Sequence, residues 1–249
     1  MFFLVVLLFL FGLCIGSFLN VVIWRAPRDE SVVYPPSRCP ACGRRIRYRD
    51  LVPVVSWLLL GGRCRDCGSV LPARYALVEL AAGALFAGVY FLAGWGTELA
   101  AGLLLVSFLL VITGIDLEHQ LILDKINLWF GAAGLGAVLA TGRLSLPEAG
   151  LGALLAGGVL LAIVLLTDGM GMGDACYAAA AGLWLGWKLA LVMLLLAFLS
   201  GGIIGSLLLI FRIRGRKDPI PFGPFLCLAT FVAWFWGEAI LRWYWSLGT

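Results

Sequence analysis

Charged residues are scarce in this sequence, and their scarcity limits the kind of protein it can encode. Only 13% of the 249 residues are Asp, Glu, Lys or Arg, whereas 62% are hydrophobic, and the mean hydropathy is +1.03. These values lie outside the range of soluble domains and within that of polytopic membrane proteins. Because backbone groups in a bilayer must be paired internally, the long apolar runs exclude a barrel of alternating strands. The sequence therefore predicts an all-α polytopic membrane protein.

Long polar stretches are also missing, with the exception of residues 25–74. The apolar runs around this stretch predict eight transmembrane helices, of which the sixth is short. The runs lie at about 1–24, 75–95, 97–115, 126–142, 148–167, 174–187, 188–211 and 222–246. The first run lacks a basic flank and is too long for a cleaved signal peptide, so we expect a retained helix. Three regions are predicted: a first helix (1–24), a loop subdomain (25–74) and a seven-helix membrane domain (75–249).

Basic residues are distributed unequally between the two sides of the predicted helices. Fifteen of the 18 lysines and arginines fall on the side of the polar stretch, and only Arg143, Lys188 and Arg242 fall on the other. By the positive-inside rule the polar stretch is cytoplasmic and the N-terminus is outside. The expected partner is the lipid bilayer, and no nucleic-acid partner is expected.

Two cysteine pairs lie in the polar stretch. Cys39-Pro-Ala-Cys42 and Cys64-Arg-Asp-Cys67 are C-x-x-C sequences separated by 21 residues, and a glycine follows each pair. A C-x-x-C turn directs two thiolates at one point, and two such turns complete a tetrahedral site closed to solvent. The pattern predicts structural zinc in a small zinc-ribbon-like cytoplasmic subdomain between helices 1 and 2. The alternatives are a redox motif, which Cys-Pro-x-Cys resembles, disulfides or free thiols. The cytoplasmic location disfavours disulfides, and the second cysteine pair favours a metal over redox chemistry.

The 14 acidic residues are few enough to be weighed individually. Asp116 and Asp174 differ from the others because each ends a predicted span on the cytoplasmic side. Each also has a structural interpretation, Asp174 as a helix N-cap and Asp116 as an interfacial acid that closes a helix. Asp124 and Asp168 are reserve candidates for the same chemistry. The only histidine, His119, has no partner histidine and is more often a polar interfacial residue than a ligand.

The glycines before Asp174 favour a functional interpretation. Gly169, Gly171 and Gly173 remove side chains from one approach to the carboxylate, so that the backbone of an extended peptide can reach it. Two aspartates that share a site cannot both ionise cheaply, so one holds a proton while the other acts as a base on water. Such a pair titrates as a unit, and the sequence assigns neither role to a particular residue.

These motifs resemble those of the type IV prepilin leader peptidases, which are membrane aspartyl proteases with a Gly-x-Gly-Asp motif. Asp116 opens a stretch similar to the first catalytic motif of that family, and Gly171-Met-Gly-Asp174 is similar to the second. The resemblance extends over nearly the whole chain. The other matching segments are residues 16–25, 53–57, 61–64, 74–80 and 221–224.

The resemblance implies a bifunctional enzyme of the bacterial inner membrane. Members of the family cleave basic leaders from prepilins or pseudopilins of type IV pilus and type II secretion systems, after a glycine. They commonly N-methylate the new terminus with S-adenosylmethionine. By resemblance, Asp116 and Asp174 are catalytic and Gly171 and Gly173 form the supporting loop.

The residues that bind the methyl donor are unknown, because the sequence has no Gly-x-Gly-x-x-Gly motif. Any pocket for it must be built from the cytoplasmic loop and the neighbouring helix ends. Asn20, Arg25 and Glu79 are polar groups at that level, for which structural roles are expected. A carboxylate inside a span, such as Glu79, tends to face the bundle interior or a polar cavity.

Three positions depart from the family pattern. Cys176 stands where a lysine is common, which removes a cation that could have paired with a carboxylate. Leu123 replaces a common proline, and Trp24 replaces a common histidine.

Other functional classes are compatible with parts of the sequence. A peptidase without methyl transfer is the alternative within the family. A transporter or channel could bind protons or cations with buried acids, and a scaffold for pilus assembly would need no chemistry. The transporter interpretation gives the cysteine pairs no role.

Overall fold

The computed structural model describes residues 2–167, 169–212 and 220–247. These residues contain no β-strand and only two isolated bridges, both in the polar stretch, so the all-α prediction is confirmed. Short 3-10 turns lie at Ala26–Arg28 and Tyr48–Leu51. The helices are α1 (Phe2–Arg25), α2 (Val55–Leu59), α3 (Arg74–Ala93), α4 (Thr97–His119), α5 (Asp124–Thr141), α6 (Leu146–Thr167), α7 (Met172–Ile210) and α8 (Gly223–Ser246).

Six of the described helices, α1, α3, α4, α6, α7 and α8, are long and apolar enough to cross a membrane. The protein is therefore a multi-pass membrane protein. The eight spans predicted from the sequence differ from these six helices at two places. Helix α5 has 18 residues and begins with Asp124 and Lys125, and it is not among the six. Helix α7 continues for 39 residues where two spans were predicted, so the count of eight stays a prediction.

Helix α7 is interrupted near its middle. A helix of 39 residues would rise about 58 Å, roughly twice the hydrocarbon thickness of a bilayer. Gly186 breaks the helical dihedrals with φ 67° and ψ 172°, a conformation essentially restricted to glycine. The interruption falls next to the boundary that the sequence predicts between the sixth and seventh spans, so the pattern located a real change in the backbone.

The chain forms two compact units, one ending at Val111 and the other beginning at Ile112. In the first unit α1 packs on α3, and a Cβ on Gly16 would lie 2.7 Å from the Cα of Glu79. In the second unit α7 packs against α5, α6 and α8. The three regions predicted from the sequence follow span boundaries instead, and that division stays a prediction.

Aromatic side chains form much of the core of the second unit. The ring of Phe130 in α5 stacks on Tyr177 and Trp184 of α7, with centroids 5.5 Å apart in both pairs. The indole N–H of Trp184 donates to the Phe130 carbonyl at 2.9 Å, and all three side chains are fully buried. Because large aromatics contribute most of the buried apolar area, this stack fixes the first half of α7 against α5.

Candidate active site

Asp116 lies in the last turns of α4 and is only 4% exposed. Its Oδ2 accepts a hydrogen bond of 2.8 Å from the backbone N–H of Gly223, the first residue of α8. A helix start leaves such N–H groups without intrahelical partners and carries a partial positive charge. A Cβ on Gly223 would lie 2.6 Å from the same oxygen, so the contact requires glycine. Asp116 is thus anchored to α8.

Asp174 is the third residue of α7, which begins at Met172 after the N-cap residue Gly171. Asp174 is therefore not the N-cap, as one interpretation of the sequence had it, but lies one turn after the N-cap. Its Oδ2 accepts a hydrogen bond of 3.1 Å from the N–H of Gly171, as an acidic residue at the third helical position does in a capping box. The side chain is half-buried, so capping leaves it accessible for chemistry.

Two residues hold the start of α7 in place. Gly173 lies against the loop that follows α4, where a Cβ would be 2.8 Å from the carbonyl oxygen of Ile122. Asn127, buried in α5, donates from Nδ2 to the Gly173 carbonyl at 3.3 Å. A Cβ on Gly171, in contrast, would have only the Asp174 Oδ2 and the Gly173 nitrogen within 4 Å. Gly173 serves packing, whereas Gly171 leaves open space beside the carboxylate.

The structure brings Asp116 and Asp174 together, although α5 and α6 separate them in the chain. Their carboxylates are near enough for their charges to interact. Both charges also act on the thiol of Cys227 in α8, and nearby the Tyr177 hydroxyl hydrogen-bonds with the Thr230 hydroxyl at 2.8 Å. Cys227 is buried, so the carboxylate pair borders a polar cluster inside the second unit.

The remaining sequence candidates lie elsewhere. His119 is the exposed last residue of α4, with its Nε2 4.0 Å from Glu118 Oε2. Asp124 is exposed at the start of α5, and its charge acts on Cys176. A lysine at position 176 would therefore have Asp124 as a neighbour. Asp168 lies outside the described residues.

Sequence reasoning missed three residues of this site: Gly223, Asn127 and Cys227. The Pro221-Phe-Gly-Pro224 segment signals a helix start, because proline is favoured there. Nothing in it indicates that Asp116 takes up the free N–H. Cys227 lies in an apolar run, which predicts burial and no more. Asn127 is a polar residue inside an apolar helix, and that was the one available signal.

The four cysteines of the polar stretch converge in the first unit. Their Sγ atoms lie within 4.8 Å of one another, and those of Cys39 and Cys67 are 3.8 Å apart. Four sulfurs about 2.3 Å from a tetrahedral zinc ion would be separated by about 3.8 Å. None of the seven cysteines, all of which the structure describes, forms a disulfide. The donor set and its spacing fit zinc.

Both C-x-x-C turns have the same backbone structure. The glycine after each pair has a positive φ, 68° at Gly43 and 70° at Gly68, and its N–H donates to the carbonyl of the first cysteine at 2.9 Å. Arg65 ties the second turn to the intervening segment by donating to both oxygens of Asp50, at 2.7 and 2.9 Å. The hydrogen bond from Arg65 lowers the pKa of the Asp50 carboxyl below its usual value.

The thiols differ in how easily they ionise. Burial raises the pKa of Cys39, but hydrogen bonds from Cys42 and Ser69 outweigh this and lower it to about 6. A backbone hydrogen bond from Arg44 lowers the pKa of Cys42, but burial and the neighbouring thiols raise it overall to about 11. Sulfurs this close cannot all ionise alone, whereas a bound cation deprotonates every thiol that coordinates it.

The first unit also contains a cavity of about 390 Å³. The second half of α1, the first turns of α3 and the polar stretch enclose it. Glu79 lines the cavity and is only 7% exposed to solvent. The lining also includes Asn20, Trp24, Cys39, Trp57 and Tyr75.

The fold and the site define a class: a multi-pass helical membrane protein with an interacting pair of aspartates at two helix ends. Residues 10–93 match the bacterial peptidase A24 N-terminal domain, and residues 103–206 match the type IV leader peptidase family. The chain belongs to the type IV leader peptidase family.

Relatives named prepilin leader peptidase/N-methyltransferase are similar over nearly the whole chain. The Aeromonas hydrophila protein is 42% identical over 271 residues, which cover 96% of this chain and 92% of the relative. The Pseudomonas aeruginosa protein is 36% identical over 265 residues, covering 94% of this chain and 91% of the relative. No solved structure gives a significant match.

Proposed function

We propose that this protein removes the leaders of type IV prepilins or pseudopilins and then methylates the new N-terminus, with S-adenosylmethionine as the methyl donor. The observation that carries the peptidase half is the anchoring of two carboxylates at helix starts: buried Asp116 accepts from the N–H of Gly223, and Asp174 accepts from the N–H of Gly171. The names of the relatives support both halves.

The proposed location is the bacterial inner membrane, with the N-terminus outside. Fifteen of the 18 basic residues fall on the side of residues 25–74 in the eight-span topology, and that side is cytoplasmic by the positive-inside rule. In the same topology the two aspartates are also cytoplasmic, where they would meet a leader before its removal.

Two carboxylates can hydrolyse a peptide without a covalent intermediate. The ionised carboxylate accepts a proton from water while the water oxygen attacks the scissile carbonyl carbon. The protonated carboxyl group donates its proton to the leaving nitrogen, and the C–N bond breaks. One shared proton is the favoured state of the pair, because two adjacent carboxylates ionise together only at high free-energy cost.

Backbone groups orient both catalytic side chains. The N–H of Gly223 holds Asp116, and the N–H of Gly171 holds Asp174. Neither orienting residue adds a side chain to the site. The open space beside Gly171 allows an extended substrate backbone to approach Asp174.

We propose a structural role for zinc. A site of four cysteines has no open coordination position for a substrate, so its metal contributes folding free energy. S-adenosylmethionine supplies an electrophilic methyl group for the new amine. The cavity of the first unit offers polar and aromatic groups that suit such a molecule.

A cleavage assay tests the peptidase half. Purified protein in detergent is incubated with a prepilin, and leader loss is followed for the wild type and for Asp116→Ala and Asp174→Ala. Loss of cleavage in both folded variants is the expected result. Retained cleavage in either variant removes that residue from the pair, and no cleavage by the wild type favours a transporter or a scaffold.

Methyl transfer is measured separately. Labelled S-adenosylmethionine is added to the cleavage reaction, and label on the mature pilin N-terminus is the expected result. Cleavage without label would leave a monofunctional peptidase.

A further inference from the structure

The polar stretch has an exposed apolar surface on α2. Val55, Leu58 and Leu59 are 51%, 62% and 81% exposed, and their spacing of i, i+3 and i+4 places them on one face of the helix. Leu51 and Val52, in the turn before α2, are also exposed. We call these five residues the α2 surface. An exposed apolar patch with a polar rim marks a site for a membrane or for another protein.

The opposite face of α2 is fixed to the rest of the first unit. The buried Ser56 donates from its hydroxyl to the Arg49 carbonyl at 3.0 Å, and the indole N–H of Trp57 donates to the Leu71 carbonyl at 3.3 Å. A Cβ on Gly62 would lie 2.9 Å from the Trp57 ring, so the backbone packs directly against the indole. Because these contacts hold the inner face, the α2 surface is presented outward in a fixed orientation.

A hydrogen bond places α2 at the level where α3 enters the membrane. The N–H of Val54, immediately before α2, donates to Glu79 Oε2 at 2.7 Å. Glu79 is the sixth residue of α3, about 7.5 Å along the helix axis from its start, and its side chain leans back toward that start. Leu77 and Leu80, on either side of Glu79 in this spanning helix, are exposed and apolar. The start of α2 is therefore level with the first two turns of α3, where lipid headgroups meet acyl chains.

The charge of the polar stretch suits an anionic membrane surface. Residues 25–74 contain ten arginines and four acidic residues, an excess of six positive charges, or of four when four thiolates bind one zinc ion. Two of the acids are paired, Asp50 with Arg65 at 2.7 Å and Asp66 with Arg47 at 3.1 Å. The arginines of this stretch that are exposed and have no acidic partner among the described residues are Arg38, Arg45, Arg49 and Arg63. Clustered basic residues attract anionic lipids, and the guanidinium group binds phosphate.

We propose that the α2 surface inserts into the membrane leaflet beside the polar stretch, with the surrounding arginines on the phosphates of anionic lipids. A lipid occupant is favoured over a protein because the surface lies level with the start of a spanning helix and the excess charge is positive. Spanning helices also hold both ends of the polar stretch at the membrane, so a small intrinsic affinity is enough to keep α2 docked. The proposal depends on the membrane spans and not on cleavage or methyl transfer.

Photolabelling from within the bilayer tests the proposal on the full chain. The protein is placed in nanodiscs of phosphatidylethanolamine and phosphatidylglycerol with a trace of phospholipid that carries a diazirine in its acyl chain, irradiated, and digested with trypsin. Cleavage after Arg49 and Arg63 releases the α2 surface in peptide 50–63. Label is expected on 50–63 and on 75–125, which contains α3 and α4, but not on 39–44, which contains the first cysteine pair. Label on 75–125 without label on 50–63, or equal label on 39–44 and 50–63, would overturn the proposal.

Paired substitutions separate lipid contact from a structural role of α2. Leu58→Ser/Leu59→Ser removes the two most exposed apolar side chains of the surface, and label on peptide 50–63 should fall at least about fivefold. Leu58→Met/Leu59→Met keeps apolar side chains of similar volume and should be labelled within about twofold of the wild type. Because both leucines are exposed, the zinc content and the melting temperature in detergent should equal those of the wild type in both variants. Equal labelling of the two variants would overturn the assignment to the α2 surface.

Lipid composition tests the role of the arginines. At low ionic strength, label on peptide 50–63 should be about two- to threefold higher in nanodiscs with phosphatidylglycerol than in nanodiscs of phosphatidylcholine alone. The difference should vanish near 1 M NaCl, where charges are screened beyond about 3 Å. Equal labelling in the two lipids at low ionic strength would refute the anionic-lipid part of the proposal.

Hydrogen exchange in the same nanodiscs distinguishes lipid from a protein occupant. Amides of residues 50–63 should exchange more slowly in the wild type than in the Leu58→Ser/Leu59→Ser variant, with or without added prepilin. Protection that arises only with prepilin would assign the α2 surface to the substrate and overturn the lipid assignment. A wild type that is labelled on 50–63 but does not cleave prepilin would refute the proposed function alone, and one that cleaves without label would refute only the docking.

Discussion

The cysteine site and the aspartate site are built in different ways. All four cysteines lie between residues 39 and 67, and each C-x-x-C turn is shaped by its own following glycine. The aspartate site combines α4, α5, α7 and α8, and its contacts join residues as distant as Asp116 and Gly223. The first site depends on local backbone geometry, whereas the second depends on the packing of a whole helical unit. Disturbing one site should therefore leave the other working.

Substituting the aspartates should produce the largest difference between the two sites. Asp116→Asn and Asp174→Asn each keep an oxygen for the hydrogen bond from Gly223 or Gly171, so both variants should fold. Prepilin cleavage should fall by about 10²–10⁴-fold, because an amide cannot exchange the proton. Zinc content and S-adenosylmethionine binding, measured in parallel, should equal those of the wild type.

A second strong effect on the aspartate site is expected from Gly223→Ala. The added Cβ would lie 2.6 Å from Asp116 Oδ2 and must displace the carboxylate. A displacement of 1 Å can cost about 10²-fold in rate, so we expect a loss of that order in cleavage. Gly136→Ala in α5 is the matched control, since its Cβ would meet nothing within 4 Å. Equal activity of the two variants would contradict the proposed anchoring.

Removing zinc should disturb the first site alone. Cys39 lines the cavity of the first unit, and a metal site of this type contributes folding free energy. Cys39→Ser should abolish bound zinc, measured by elemental analysis against about one ion per chain in the wild type. S-adenosylmethionine binding should weaken at least about 10-fold while cleavage changes less than about threefold. Wild-type protein without zinc would refute the metal assignment.

The two glycines before Asp174 should give different phenotypes. Gly173→Ala places a Cβ 2.8 Å from the Ile122 carbonyl, so it should destabilise the protein by about 1–3 kcal/mol through overpacking. The Cβ added by Gly171→Ala would have only two atoms of the chain within 4 Å, so this substitution should leave the melting temperature unchanged. It should raise the KM for prepilin by about 10-fold if the substrate backbone uses that space. If the two substitutions changed the melting temperature and the KM for prepilin equally, the distinction between a packing glycine and a substrate-facing glycine would be wrong.

The smallest effect is expected from Cys176→Lys, which restores the residue common in the family. The new ammonium group would lie near Asp124, and both positions are exposed. Exposed ion pairs contribute about 0–1 kcal/mol, so cleavage should stay within about threefold of the wild type. Asp124→Asn in the Cys176→Lys background should reverse any gain. A larger change would indicate that residue 176 acts on the aspartate pair directly.

The contrast between the sites also explains what could be predicted from the sequence. Hydropathy placed the long helices to within a few residues, and it located the interruption at Gly186. Spacing predicted the zinc ligands, because the turn that directs two thiols is encoded within a few positions. Span ends and the glycines before Asp174 singled out Asp116 and Asp174, but local patterns do not encode long-range packing, so the sequence alone could not show which backbone groups hold the two carboxylates.

The features that escaped prediction have the same physical cause. The hydrogen bond from Gly223 to Asp116 and that from Asn127 to Gly173 depend on which helix ends meet. The cavity beside Asn20 depends on how the polar stretch folds over α1 and α3. A hydropathy profile marks the interruption of α7 near Gly186 but does not show how far the chain turns there, so the predicted count of eight spans stays a prediction.

The central claim is that Asp116 and Asp174 act as one unit on one water molecule, and a double-substitution cycle tests it most directly. Cleavage rates are measured for Asp116→Asn, Asp174→Asn and the double variant under single-turnover conditions. Groups that act together give strongly non-additive losses, so the double variant should be about as slow as the slower single variant. If the two losses multiply instead, the aspartates contribute independently and the shared site is wrong.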